Sequence, residues 1–172
     1  VEAISKIKEE GKGVSYLSNN SSKNKNDYVV RLKDMGVDCD ESDIVLSTDS
    51  VINYLKKSKV EKVYVLGTKS LQKSIIDYGF EICSHAPEFV VVGYDTELTY
   101  SKMRSACRLI NGGIDYIATH CDVVCPSEDG PIPDVGLMVD MIERTTGRAP
   151  YKTFGKPDKD LIDFICSQKK LD

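Results

Sequence analysis

The fold is decided by the stretch Val14-Ser15-Tyr16-Leu17-Ser18-Asn19-Asn20-Ser21-Ser22. Val14 to Leu17 is a short run with β-branched and aromatic members, which indicates a buried parallel strand. The small polar residues from Ser18 to Ser22 hydrogen-bond to nearby backbone and cap helices, so they turn the chain from this strand into a helix. A hydroxyl and backbone N–H groups at such a strand end suit an anionic oxygen. Taken alone, however, the cluster is more simply an ordinary strand-to-helix turn.

A second motif supports the functional interpretation. It is Thr153-Phe154-Gly155-Lys156-Pro157-Asp158, in which another short strand ends in a glycine, a lysine and a proline that suits a first helical turn. The glycine lets the backbone approach a ligand, and Lys156 supplies a compact positive charge for a phosphate. We expect Lys156 to lie beside Ser18 if the two strands neighbour each other. The alternative is a solvated surface lysine.

Short apolar strands alternate with amphipathic helices along the chain, which predicts an α/β fold with mainly parallel strands. The predicted strands after the first are Ile44–Leu46, Val63–Leu66, Phe80–Cys83, Phe89–Val92 and Tyr116–Thr119. After the predicted strand Val63–Leu66, the segment Gly67-Thr68-Lys69-Ser70 is interpreted as a turn and a helix cap. It is not interpreted as a phosphate-binding P-loop, because the upstream glycine of that motif is absent. The pattern begins again near Lys62, after a polar segment, and this restart suggests an insertion.

The longest stretch without clear periodicity runs from His120 to Asp134 and contains three prolines. Long ordered loops in compact domains are usually functional, so this loop is a candidate substrate-binding segment. Its polar members Asp122, Cys125, Glu128 and Asp129 are the candidates for lining a pocket. The alternative for the acidic residues is a solvated surface.

Composition excludes several classes of function. The chain has 172 residues, 41% of them hydrophobic, and a net charge of −4, which argues against a nucleic-acid or anionic-membrane surface. No membrane-spanning segment or signal peptide is predicted, and six scattered cysteines fit reduced thiols in the cytoplasm.

His120, Cys121 and Cys125 do not have the usual spacing of a zinc site. No Gly-x-Gly-x-x-Gly fingerprint indicates a dinucleotide.

Together, Leu17-Ser18-Asn19-Asn20-Ser21 and Gly155-Lys156-Pro157 resemble motifs II and III of the haloacid dehalogenase-type phosphatases. The resemblance is to the branch of NagD-like and 4-nitrophenylphosphatase-like enzymes. It continues through segments in the same order, which are Val63–Gly67, Phe89–Asp95, Tyr116–Thr119, Glu128–Gly136 and Thr146–Arg148. The family's nucleophilic Asp-x-Asp motif would precede the helix that Val1 begins, and its last metal-binding aspartates would follow the helix ending near Gln168. The chain is therefore expected to be a family member cut at both ends.

The resemblance implies a Rossmann-like haloacid dehalogenase core, partial here, with an inserted α/β cap domain. The expected boundaries are 1–60 and 151–172 for the two parts of the core and 61–150 for the cap. It also implies that Ser18 and Lys156 are catalytic, that both bind phosphate with Asn19 and Asn20, and that Mg²⁺ is the cofactor. No metal ligand is assigned within this chain. The residues that match the cap's substrate-specificity loop are Asp122, Cys125, Asp134 and Gly136.

The implied activity is hydrolysis of a small phosphorylated metabolite through an aspartyl phosphate, with the nucleophile outside this chain. On that basis the chain alone is expected to be inactive. The competing hypothesis is a non-catalytic fragment that binds phosphate-bearing ligands. The sequence leaves open the substrate and whether the chain forms a homodimer.

Overall fold

The computed structural model describes residues 1–169 and confirms an α/β fold with parallel sheets. A small sheet near the start pairs β1 (Tyr16–Ser18) with β2 (Ile44–Leu46) in parallel. Helix α1 (Glu2–Glu9) precedes this sheet, and α2 (Lys25–Asp34) connects its two strands. Within the described residues, no helix has the length and apolar character needed to cross a membrane.

Helix α2 begins immediately after the polar cluster because its N-terminus is capped from both directions. The Asn24 side chain accepts a 3.0 Å hydrogen bond from the N–H of Asp27, and the Asp27 carboxylate accepts one of 2.9 Å from the N–H of Asn24. This reciprocal arrangement is a capping box, which satisfies donors that the first helical turn leaves free. The cap fixes where the polar cluster ends and the helix starts.

A second sheet contains five parallel strands. In chain order they are β3 (Lys62–Leu66), β4 (Glu81–Ile82), β5 (Phe89–Val92), β6 (Asp115–Ala118) and β9 (Lys152–Thr153). Their order across the sheet is β4-β3-β5-β6-β9. The helices around it are α3 (Ser47–Lys57), α4 (Lys69–Asp77), α5 (Tyr100–Asn111) and α6 (Val135–Thr146), and α7 (Lys159–Lys169) closes the described chain. Thr68 caps α4 by accepting the N–H of Leu71, as the sequence predicts.

Alternate residues of the central strands face opposite layers of helices, as expected for a sheet covered on both sides. Val91 packs with residues of α3 and α4 such as Leu55 and Ile75. Its neighbours along β5, Val90 and Val92, pack with residues of α5 and α6 instead. These residues are almost completely buried, so the two cores hold the carboxyl end of the sheet rigidly.

The segment from His120 to Asp134 is more regular than the sequence indicates. It contains the antiparallel hairpin of β7 (Val124–Cys125) and β8 (Ile132–Pro133). Ser127 and Gly130 close the turn with reciprocal backbone hydrogen bonds of 3.2 and 3.1 Å, and Gly130 has φ of +111°. The expectation of an aperiodic loop was wrong because each strand has only two residues. Runs that short cannot display the alternation by which strands are recognised.

The five-stranded sheet begins close to residue 61, where the sequence predicts the start of the inserted cap. Two neighbouring elements also belong to this layered unit. Helix α3 contributes Val51, Ile52 and Leu55 to one of its cores, and β9 pairs with β6 along the edge. The exact division at 61 and 150 remains a prediction.

Candidate functional site

Residues 18–22, here named the Ser–Asn loop, lie across the carboxyl ends of both parallel sheets. Ser47, directly after β2, donates its hydroxyl to the carbonyl of Asn19 at 2.8 Å. Thr68, just after β3, donates its hydroxyl to the carbonyl of Ser22 at 2.9 Å. Because these contacts use the backbone of the loop, they fix its path whatever its side chains do.

Ser21 is the most deeply buried member of the Ser–Asn loop, with no exposed surface. Its Oγ accepts a 2.8 Å hydrogen bond from the N–H of Tyr94, after β5, and lies 2.8 Å from the hydroxyl of Thr119, after β6. The Thr119 hydroxyl also lies 3.0 Å from Nδ1 of His120. Ser21 therefore joins the loop to the ends of two central strands.

Asn19 connects the two motifs that the sequence predicts to bind phosphate. Its Oδ1 accepts the N–H of Lys156 at 2.7 Å, and its Nδ2 donates to the carbonyl of the same residue at 3.3 Å. Gly155 makes this approach possible, because it has φ of +84° and a Cβ there would lie 2.7 Å from Asn19 Oδ1. The side chain of Lys156 is exposed.

The sequence predicts Lys156 beside Ser18 only if the strands before the two motifs neighbour each other, and the structure does not meet this condition. β1 and β9 belong to different sheets. The motifs meet because both sheets direct their carboxyl ends at the Ser–Asn loop. Sequence reasoning cannot find such an arrangement, because the way in which two sheets are placed against each other leaves no local pattern.

Ser18 is the first residue of the Ser–Asn loop, and its hydroxyl has two neighbours. Its Oγ accepts a 3.2 Å hydrogen bond from the N–H of Asn20 and lies 2.7 Å from the hydroxyl of Tyr28. Burial raises the pKa of Tyr28 above its usual value, although the hydrogen bond with Ser18 lowers it. The Tyr28 hydroxyl therefore stays protonated at neutral pH and can donate to Ser18. When Tyr28 donates, both lone pairs of Ser18 Oγ are occupied and the proton of Ser18 is free for an anionic ligand.

Tyr28 was missed as a site residue, because its helical spacing with Leu32 indicates only a core-facing side chain. Asn20 has a more local role than expected. Its Oδ1 accepts hydrogen bonds from the N–H and hydroxyl of Ser22 at 2.8 and 2.7 Å. The Asn20 side chain thus shapes the turn, while its backbone N–H contacts Ser18.

Three of the four predicted specificity residues form one structural group. Asp134 accepts hydrogen bonds from Nε2 of His120 at 2.9 Å and from the N–H of Val135 at 2.7 Å, and so begins α6. The N–H of Gly136 donates to the carbonyl of Asp122 at 2.8 Å, and a Cβ on Gly136 would lie 2.7 Å from the carbonyl oxygen of Cys121. Asp134 and Gly136 therefore hold the segment that carries Asp122.

Asp122 reaches the Ser–Asn loop directly, since its Oδ2 accepts a 3.0 Å hydrogen bond from Nδ2 of Asn19. Cys125, the fourth predicted specificity residue, is half-buried. Burial raises the pKa of the Tyr94 hydroxyl, and the nearby Cys125 thiol and Asp134 carboxyl raise it further. By contrast, Glu128 and Asp129 are exposed at the tip of the hairpin.

A cleft of about 300 Å³ opens beside Ser18's partner Tyr28. It is lined by Asn20, Lys23, Asp27, Tyr28, Val30 and Arg31. Two of these six residues are basic and one is acidic, so the side chains that line the cleft have a net positive charge. Its position next to Asn20 makes it continuous with the Ser–Asn loop.

One grouping of metal-capable side chains occurs among residues 1–169, and it consists of His120, Asp122 and Asp134 with ligand atoms within 4.8 Å of one another. It does not include Cys121 or Cys125. Both ring nitrogens of the buried His120 already have partners, as does each carboxylate. Mg²⁺ prefers near-octahedral oxygen ligands and retains several waters. This grouping therefore does not fit Mg²⁺.

Comparison with known proteins identifies the same family at the level of sequence and of structure. A family model of haloacid dehalogenase-like hydrolases matches residues 1–81. A solved nagD protein has a TM-score of 0.96 and 38% identity, with 99% of this chain and 68% of that chain covered. The 4-nitrophenylphosphatase of Thermotoga maritima also has a TM-score of 0.96 and 38% identity, with 99% and 66% covered.

A curated relative is the acid sugar phosphatase of Staphylococcus haemolyticus. It is 30% identical over 159 residues, which make up 91% of this chain and 60% of that protein. This chain therefore spans about three fifths of the length of that relative.

Proposed function

Because the chain belongs to the haloacid dehalogenase-like hydrolases, in the branch of NagD and 4-nitrophenylphosphatase, we propose that it supplies the phosphate-gripping part of a phosphomonoester hydrolase. The observation that carries the proposal is the pair of hydrogen bonds between Asn19 and the backbone of Lys156. They unite motifs that are far apart in the sequence, at the carboxyl ends of parallel strands. Ligands of open α/β folds bind at such ends.

The residues of the site have separable roles in phosphoryl transfer. The free proton of Ser18 and the charge of Lys156 stabilise negative charge on the equatorial phosphate oxygens, an electrostatic role that is strongest where water is excluded. Asn19 and Asn20 shape the loop that holds the phosphate. The segment with Asp122 and Cys125, together with the cleft beside Tyr28, faces the leaving group. A small phosphorylated metabolite is the proposed substrate.

The nucleophile and the groups that hold Mg²⁺ are proposed to lie outside this chain, in the part of the relatives that it does not span. Mg²⁺ would neutralise phosphate charge in the complete enzyme. The layered unit from about residue 61 to 150 is proposed as a cap that is tied to the core by two connections, which restricts its motion to a hinge. The cytoplasm is the proposed location.

The experiment compares hydrolysis of 4-nitrophenyl phosphate with Mg²⁺ by this 172-residue chain and by a form extended at both ends to the length of its relatives. We expect turnover only in the extended form. Comparable turnover in the short chain would contradict the proposed location of the nucleophile. An inactive, folded extended form would contradict the phosphatase function itself.

The second candidate is a fragment that binds phosphate-bearing ligands without turning them over. It is favoured by the Ser–Asn loop, whose carbonyls of Asn19 and Ser22 and hydroxyl of Ser21 are held by hydrogen bonds within the chain as it stands. Isothermal titration calorimetry of the short chain with inorganic phosphate tests this candidate. Binding without turnover supports it, and no binding at millimolar phosphate contradicts it.

A further inference from the structure

Asp122 contacts the Ser–Asn loop directly, through the side chain of Asn19. A residue that only selects the substrate would not need this contact. The Asp122 carboxylate bonds to Nδ2 of Asn19, the same side-chain amide that grips the backbone of Lys156. We propose that Asp122 is a positioning residue, which orients the Asn19 amide and thereby holds Lys156 in place for phosphate. This inference rests on the proposed function. It adds a link between the residues that bind the phosphate and the segment that faces the leaving group.

The chemistry of the groups determines the orientation. A carboxylate only accepts hydrogen bonds, so Asp122 requires the amide nitrogen of Asn19, rather than its oxygen, to face it. The amide oxygen is then left to accept the N–H of Lys156, and the second amide hydrogen is left for the Lys156 carbonyl. All three contacts of the Asn19 side chain therefore agree with one orientation of its amide group.

The Asn19 amide is poorly placed to replace a lost partner with water, because Asn19 is only 9% exposed. Losing a charged acceptor from a buried donor typically costs more than losing a neutral one. Without Asp122, only the two hydrogen bonds to the backbone of Lys156 fix the orientation of the amide. The Lys156 segment then has a less constrained anchor.

Asp122 is itself fixed from outside the Ser–Asn loop. Its carbonyl accepts the N–H of Gly136 at 2.8 Å, and the carbonyl of the next residue, Val123, accepts the N–H of Asp134 at 3.0 Å. The start of α6 therefore sets the position of the carboxylate. Through Asp122, the segment that faces the leaving group is coupled to the segment that grips the phosphate.

The test uses the extended form and three variants. Asp122→Ala removes the acceptor, while Asp122→Asn retains an oxygen that can still accept from Asn19. Asp129→Ala is the matched control, since it removes an exposed carboxylate from the tip of the same hairpin. The readouts are inhibition by inorganic phosphate and turnover over a panel of sugar phosphates, nucleotides and pyridoxal phosphate.

We expect Asp122→Ala to weaken phosphate inhibition by about 10- to 100-fold, the range for loss of a hydrogen bond to a charged group. Turnover should fall by a similar factor on every substrate, with substantial rescue in Asp122→Asn and no change in Asp129→Ala. Unchanged phosphate inhibition with a reordered substrate preference would overturn the proposal, because it is the result for a residue that only selects substrates.

A second measurement needs no activity. In the 172-residue chain, the side-chain NH₂ signal of Asn19 is observed by NMR for the parent, Asp122→Ala and Asp129→Ala. We expect a shifted signal and faster hydrogen exchange in Asp122→Ala alone. An unaltered signal would overturn the inferred link even if the phosphatase function holds. An inactive extended parent with the expected NMR change would refute the function and leave the link intact.

Discussion

The backbone N–H of Lys156 donates a 2.7 Å hydrogen bond to the side chain of Asn19, which lies 137 positions earlier in the chain. This bond fixes the main chain of Lys156 and leaves its side chain exposed. A lysine with an anchored backbone and an exposed charge has fewer conformations to lose when an anion binds. The pairing therefore explains how a surface lysine can serve as a phosphate ligand.

The charge of Lys156 is predicted to be necessary for turnover. In the extended form, Lys156→Ala should lower turnover by about 10²- to 10³-fold, as for other losses of a donor to transition-state charge, and change the free energy of unfolding by less than about 0.5 kcal/mol. Ser18→Ala should have a milder effect. The matched control is Lys159→Ala, since that side chain is 84% exposed and pairs only locally with Asp163. Near-normal turnover of Lys156→Ala would mean that this lysine is merely solvated.

Gly155 is predicted to be intolerant of a side chain for two reasons that can be separated. Gly155→Ala imposes a left-handed backbone and also places Cβ against Asn19, while Gly147→Ala imposes only the former, since Gly147 has φ of +70° and nothing within 4 Å. We expect the left-handed backbone to cost about 1 kcal/mol at each position and the crowding to add about 1 to 3 kcal/mol at Gly155. Urea unfolding of the two variants measures the difference. Equal losses would show that both Asn19 and His120, whose Cβ would lie 2.8 Å away, can move aside freely.

The stability of the chain is predicted to depend on the ionisation of Asp49. This carboxyl is 4% exposed, and its burial raises its pKa above the usual 3.8, although Lys25 and the N–H of Leu46 lower it. A raised pKa in the folded state means that the folded chain binds the proton more tightly than the unfolded chain. The stabilising contribution is therefore full below about pH 4 and is lost as the pH rises through the raised pKa.

Asp49→Asn cannot titrate, so it isolates this effect from those of the other carboxyls. The free energy of unfolding of the parent minus that of Asp49→Asn should decrease between about pH 4 and neutral pH. Urea unfolding across that range provides the measurement. A difference that increases with pH would show that the 3.0 Å ion pair with Lys25 outweighs the burial of the carboxylate.

Cys125 is predicted to select the leaving group without affecting the grip on phosphate. In the extended form, Cys125→Gln should change the relative preference for sugar phosphates, nucleotides and pyridoxal phosphate by about 1 to 3 kcal/mol. Inhibition by inorganic phosphate should not change, because the Cys125 thiol donates within its own hairpin, to the carbonyl of Pro126. Cys121→Gln, at an exposed position of the same segment, is the control. A uniform loss over the panel would contradict a role in specificity.

The parts of the molecule that sequence predicted well are those governed by local chemistry. Phe89–Val92 forms its strand within the predicted bounds, and Thr68 caps its helix, because apolar runs and capping side chains act over a few residues. The sequence predicted that the two motifs meet only on the condition that their strands neighbour each other, and they meet although β1 and β9 belong to different sheets. Ser21 was interpreted as part of a turn, yet its burial depends on β5 and β6, which no short pattern encodes.

The hairpin from Val124 to Pro133 is anchored at its base, where Asp122 is held by Asn19 and Gly136 and Asp134 by His120, and Cys125 packs against the core beside α6. Its turn is closed by its own hydrogen bonds, and the two residues at its tip are exposed. A replacement turn of different length can therefore join β7 to β8 without reshaping the phosphate site. Exchange of this one segment between relatives offers a compact route to enzymes that share a chemistry and differ in what they hydrolyse.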